Sequence, residues 1–125
     1  MQPPIKRSPG AANLFEPDPR ARSGEISSPV LKGQGFRMEH ITSFGQATPE
    51  GCWYDQAEAE WVIVLSGRAR LRFEAETEDR ALGAGDAIFL PAGCRHRVAW
   101  TDPDQPTIWL ALYIDTELLP ALPCS

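Results

Sequence analysis

The chain has 125 residues, a formal net charge of −5 and a pI near 5.0, with 12 Lys/Arg against 17 Asp/Glu. That length makes one domain. The acidic balance, with no basic cluster beyond Lys6-Arg7, argues against a nucleic-acid partner. The longest apolar run, residues 108–114, falls far short of the roughly 20 residues of a membrane span, so no membrane partner is expected. Lys6-Arg7 has no apolar core behind it, so no secretory signal is expected. Cys52, Cys94 and Cys124 are an odd, sparse set that predicts a reducing, cytoplasmic setting rather than a disulfide framework. Twelve prolines and ten glycines predict many short elements joined by turns, which favours an all-β fold.

In chain order, residues 1–12 read as a flexible arm, 13–118 as the folded domain and 119–125 as a tail. Residues 29–32 predict a first short strand. In residues 35–43, Phe36, Met38 and His40 fall on one face and Arg37, Glu39 and Ile41 on the other. A turn cluster at 48–51 precedes a short aromatic strand, Cys52-Trp53-Tyr54-Asp55. Residues 60–65 are β-rich on both faces, as in a strand buried within a sandwich or barrel. Ser66-Gly67 reads as a hairpin turn. The return strand, 68–74, sets Ala69, Leu71 and Phe73 inward and an arginine stripe, Arg68, Arg70 and Arg72, outward. A brief strand follows at 80–82, and residues 107–114 form another central strand. One helical turn is expected before Pro120.

The most informative stretch is 85–100. A short apolar run ends at Pro91, turns through Pro91-Ala92-Gly93 and re-enters a strand at His96. Proline fixes φ and glycine permits positive φ, so the pair specifies a tight reversal. Alternation puts His96, Val98 and Trp100 on the inner face. Glu60 shares parity with Val62 and Val64, so a carboxyl group also faces an apolar interior and must be neutralised, hydrogen-bonded or metal-bound. Trp53 shares a face with Asp55. About nine short strands and no helix-period segment predict a β-sandwich or closed barrel.

Two passages resemble the cupins. Gly85, Pro91, Gly93 and His96 match the spacing of the second cupin motif, and Glu60 with Gly67 match the end of the first. The resemblance covers about 36–114, and extends to a group of small bacterial cupins with no assigned reaction. It implies a jelly-roll β-barrel (a double-stranded β-helix) whose interior often holds a divalent metal. The first motif usually opens with His-x-His, and here Trp53 and Asp55 occupy those places. With two histidines in the chain, the usual three-His-plus-Glu set cannot form.

If the barrel closes as the resemblance implies, Asp55, Glu60 and His96 converge near its mouth. Two readings follow. In one, these three side chains hold Mn²⁺, Fe²⁺ or Zn²⁺, with Tyr54, Glu60 and His96 as the catalytic set and His40 as a candidate fourth ligand. In the other, Glu60 and His96 bond to each other in a metal-free polar cluster, and the chain is a non-catalytic ligand-binding or dimerisation module. Trp53 and Trp100 would wall a small-molecule pocket. Cys94 and Cys52 lack a paired base, which disfavours a thiol nucleophile. A homodimer formed through the 29–32 edge is a further expectation.

Overall fold

The structure is a computed structural model, described over residues 10–120. Eight strands follow a short 3₁₀ turn at Pro19–Arg22: β1 Ile26–Gly33, β2 Phe36–Ser43, β3 Ala59–Ser66, β4 Arg68–Phe73, β5 Arg80–Gly83, β6 Ala87–Leu90, β7 His96–Thr101 and β8 Thr107–Ile114. A second 3₁₀ turn, Thr116–Leu118, sits where a helical turn was expected. The strands form a five-stranded sheet ordered β1-β2-β8-β3-β6 and a three-stranded sheet ordered β5-β4-β7. The fold is the all-β jelly roll that the resemblance implied, with one strand fewer than the strand pattern predicted. The missing one is the 52–55 segment, which makes a single bridge at Tyr54. Among the described residues, no helix is long and apolar enough to cross a membrane.

The expected hairpin turn at 66–67 and the expected reversal at Pro91 are both crossings between sheets. Residues 66–67 carry the chain from β3, paired with β6 and β8, to β4, paired with β5 and β7. Glycine is required at this corner. Gly67 has φ +88°, and a Cβ there would lie 2.5 Å from the Pro106 carbonyl oxygen and 2.7 Å from Thr107 Cα. The Pro91 reversal likewise leads from β6 in one sheet to β7 in the other. Its turn closes through the Cys94 amide donating to the Pro91 carbonyl, with Gly93 at φ +74°.

Alternation along the inner strands builds the core. Val62 and Val64 of β3, Leu71 and Phe73 of β4, and Trp109, Ala111 and Tyr113 of β8 are buried together between the sheets. Burying each of the larger side chains contributes roughly 1.5–3 kcal/mol. Register then fixes what else faces inward. On β2, Arg37 pairs with Tyr113 and Ile41 with Trp109, so Arg37, Glu39 and Ile41 face the interior. His40 therefore turns outward, where its Nε2 donates to the Leu14 carbonyl at 2.9 Å. It is a tether for the N-terminal segment and no ligand for the interior.

β7 holds the decisive irregularity. Leu71 pairs with Val98 but Arg70 pairs with Trp100, which leaves Ala99 as an extra residue. Such a bulge reverses side-chain parity beyond it. His96 and Val98 face inward, while Trp100 turns to the outer face, its ring 4.9 Å from the Arg70 guanidinium.

Candidate functional site

Between the sheets lies a cavity of about 100 Å³, whose wall includes Glu60, Val62, His96, Trp109 and Tyr113, with Glu25, Tyr54 and Gln56 also contributing. That is room for several waters or one compact ligand. Glu60 and Tyr113 are register partners on β3 and β8. His96 opens β7 immediately after the Pro91 reversal. Tyr54 is brought in by an antiparallel bridge: its amide donates to the His96 carbonyl at 2.7 Å, and the His96 amide donates back at 3.2 Å. Buried Trp109 Nε1 donates to buried Ser43 Oγ (3.2 Å), and Ser43 Oγ donates to the exposed Glu25 (2.8 Å), which holds that carboxylate in place.

Glu60 is 8% exposed, and among the described residues its carboxyl makes no hydrogen bond or ion pair. No buried side-chain oxygen is left without either a partner or contact with open space, so the carboxyl group meets the cavity. Burial raises its pKa to about 7; the nearby Arg37 charge opposes the rise, and the Glu39 and Glu58 carboxylates add to it. Arg37 gives Glu60 little relief because it is already engaged. Its guanidinium donates to Glu39 and to Glu58, each at 2.9 Å, and lies 3.9 Å from the Tyr113 ring centroid. Burial, then the Glu60 charge, raises the pKa of the Tyr113 phenol.

His96 is 5% exposed, between the Tyr54 and Phe73 rings at centroid distances of 5.6 and 6.2 Å. Its Nδ1 donates to the Cys94 carbonyl at 2.8 Å. That fixes the neutral tautomer, with Nε2 as a hydrogen-bond acceptor. Burial lowers the imidazole pKa, against the Cys94 bond, which raises it.

Of the side chains singled out in the sequence, Tyr54, Glu60 and His96 share this cavity, and Asp55, Trp53 and Trp100 lie outside its lining. The Tyr54–His96 bridge explains the first two exclusions. Bridged residues project to the same side, so Tyr54 takes the inward place and its neighbours point away. Asp55 is exposed, and Trp53 lies under Arg97, 5.7 Å from its guanidinium. The Ala99 bulge removes Trp100. Trp109 and Tyr113 supply aromatic wall instead. Their alternation with Ala111 along β8 was the available signal, masked by the apolar character of both faces of that strand. Cys94 is 2% exposed and disulfide-bonded, against the expectation of three reduced cysteines, and it offers no thiol nucleophile.

The three-ligand metal set built on Asp55 does not assemble. Among the described residues, no group of three or more His, Cys, Asp or Glu side chains is placed to hold an ion. Glu60 and His96 supply two donors, and Glu25, the other carboxyl group on the wall, does not group with them among the described residues. Bound divalent ions take four or more ligands. The donor set does not fit a resident metal. Nor do Glu60 and His96 hydrogen-bond to each other among the described residues, so the closed polar cluster does not form either.

A cupin-domain family profile matches residues 46–113. This chain is a cupin. The match contains both Glu60 and His96. A crystal structure of a provisionally named mannose-6-phosphate isomerase from Ralstonia eutropha is 47% identical, covering 86% of this chain and 99% of that one, with a TM-score of 0.81. A Streptococcus pyogenes protein of unknown function shares the fold at 16% identity, covering 94% and 93% of the two chains, with a TM-score of 0.65. A cupin-2 domain protein from Shewanella frigidimarina does so at 16% identity, covering 71% and 79%, with a TM-score of 0.58. Among curated proteins, none matches this cupin.

Proposed function

We propose that this cupin binds a small molecule in its barrel interior, against Glu60 and His96, without a resident metal. One observation carries the reading: a carboxyl group 8% exposed, on a cavity wall, with no partner among the described residues. The carboxyl opens onto the cavity, where a ligand's hydrogen-bond donor can take the place of water. Tyr54, Glu60 and His96 are then the groups that touch the ligand. A near-neutral carboxyl and a neutral imidazole in one cavity are also a competent proton donor–acceptor pair.

The test is a thermal-shift screen of small polar metabolites against the wild type and Val98→Phe, which fills the cavity from β7. Supporting compounds raise the wild-type Tm and leave the variant unmoved. A screen without such compounds, or with shifts equal in both proteins, overturns the proposal.

A homodimer is a second reading, favoured by the outer face of the large sheet. Register aligns Leu31, Met38, Leu112, Trp61 and Phe89 in one uncharged row across all five strands. Leu31 is 56% and Trp61 36% exposed. At a strand spacing near 4.8 Å the row runs about 20 Å, the scale of a standard interface of about 800 Å² per partner. A flat apolar face meets its own copy without charge mismatch. The β1 edge is less suited, since Pro29 and the adjacent register shift blunt strand addition. Light scattering on wild type and Trp61→Glu tests this reading. A dimer mass lost in the variant supports it, and a wild-type monomer overturns it.

A further inference from the structure

The acidic and basic side chains of the cavity look for hydrogen-bond donors, while the Tyr54 and Tyr113 hydroxyls and the Gln56 amide can donate or accept. The Glu60 carboxyl makes no hydrogen bond among the described residues. His96 has committed its Nδ1 proton to the Cys94 carbonyl, so Nε2 presents a lone pair. Glu25 adds a second carboxylate at the mouth. Against these acceptors, no lysine or arginine is part of the cavity wall. The nearby cation, Arg37, is held by Glu39 and Glu58. An anion entering the cavity meets carboxylates and finds no cation to replace its hydration.

The remaining wall is aromatic. Tyr54, Trp109 and Tyr113 bring three rings to the cavity, and ring faces attract cations. The molecule already shows this preference in its own chain, where the Arg37 guanidinium rests 3.9 Å from the Tyr113 ring centroid. Acidic side chains beside aromatic rings, with Arg37 already engaged by Glu39, Glu58 and the Tyr113 ring, form a cation-favouring site. The apolar side chains Val62, Leu71 and Val98 complete the lining and suit a short alkyl portion.

We propose that the cavity selects a small organic cation bearing N–H donors, a compact alkylammonium-type molecule, and rejects carboxylated or phosphorylated ligands of similar size. The inference rests on the cavity being a binding site. It also separates this cupin from the activity in its Ralstonia relative's name, since a sugar phosphate brings a dianion to a wall without a cation. An ammonium group placed at Glu60 forms a charge-assisted hydrogen bond and favours the ionised form of that carboxyl.

Propylammonium and propionate test the charge preference on one carbon skeleton. Amide chemical-shift mapping of the wild type at neutral pH, titrated with each probe to tens of millimolar, locates and ranks binding without any variant. Propylammonium is expected to shift the His96 and Tyr113 amides and to bind about tenfold more tightly than propionate. In Glu60→Gln, which keeps the shape and removes the charge, that advantage is expected to vanish. Propionate binding equally or more tightly at the same amides overturns the charge preference and leaves the cavity reading standing. No shift at those amides with either probe overturns both.

Discussion

Tyr54 and His96 face each other across one antiparallel bridge, with rings 5.6 Å apart and two backbone hydrogen bonds between them. That pairing sets the inward side of the 52–55 segment and sends Asp55 to solvent. Asp55→Ala is therefore expected to change stability by less than about 0.5 kcal/mol and to leave metal content unaltered. Elemental analysis of tag-free protein grown with Mn, Fe and Zn checks the second point, and a loss of stoichiometric metal in the variant would overturn the account of this segment.

Glu60 makes stability depend on pH in an unusual direction. Its pKa is raised from 4.5 to about 7 by burial. Below pH 4.5 the carboxyl is protonated in both the folded and unfolded chains and contributes nothing to the difference. As pH rises toward 7 the unfolded chain releases its proton first, so folding loses stability, up to roughly 3 kcal/mol. His96 acts from the other side. Its lowered pKa means the unfolded chain takes up a proton first as pH falls below 6.5, and stability is lost in that window. Glu60→Gln is expected to melt higher than wild type at pH 8 and to lose the decline between pH 5 and 7. Parallel melting curves for the two proteins would contradict this.

Trp100 belongs to the outer face with Arg70 and Arg68. Trp100→Ala is expected to cost about 1 kcal/mol, mostly lost stacking, and to leave ligand affinity in the cavity unchanged by calorimetry. A several-fold loss of affinity would return Trp100 to the pocket wall.

The two glycine turns separate conformation from crowding. Gly67→Ala meets both a φ of +88° and the Pro106–Thr107 backbone, whereas Gly93→Ala meets a φ of +74° with nothing within 4 Å of the added Cβ. The expected costs are about 1 kcal/mol for Gly93→Ala and 2 kcal/mol or more for Gly67→Ala, measured by urea denaturation. Equal costs would mean that the corner at Gly67 relaxes freely.

The sequence revealed the family and half of the site, for identifiable reasons. Spacing located Glu60 and His96 because each lies on a strand whose alternation is intact as far as that residue. Parity failed for Trp100 because a bulge inserts Ala99, and an extra residue leaves no mark in composition. It failed for Trp53 and Asp55 because a single bridge, formed with a residue 42 positions away, decides the facing of so short a segment. His40 was misread because alternation gives two faces without saying which is inner. Its register opposite Leu110, between Ile41–Trp109 and Glu39–Ala111, settles that. Trp109 and Tyr113 were hidden in a strand apolar on both faces.

The central claim is that Glu60 carries a buried carboxyl group, unpartnered by protein, on the wall of the barrel cavity. A ¹³C-detected titration of the Glu60 side-chain carboxyl in the ligand-free protein tests it most directly. The account predicts a midpoint at about pH 7; a midpoint near the ordinary glutamate value of about 4.3 would place the group in water or in an ion pair and contradict it.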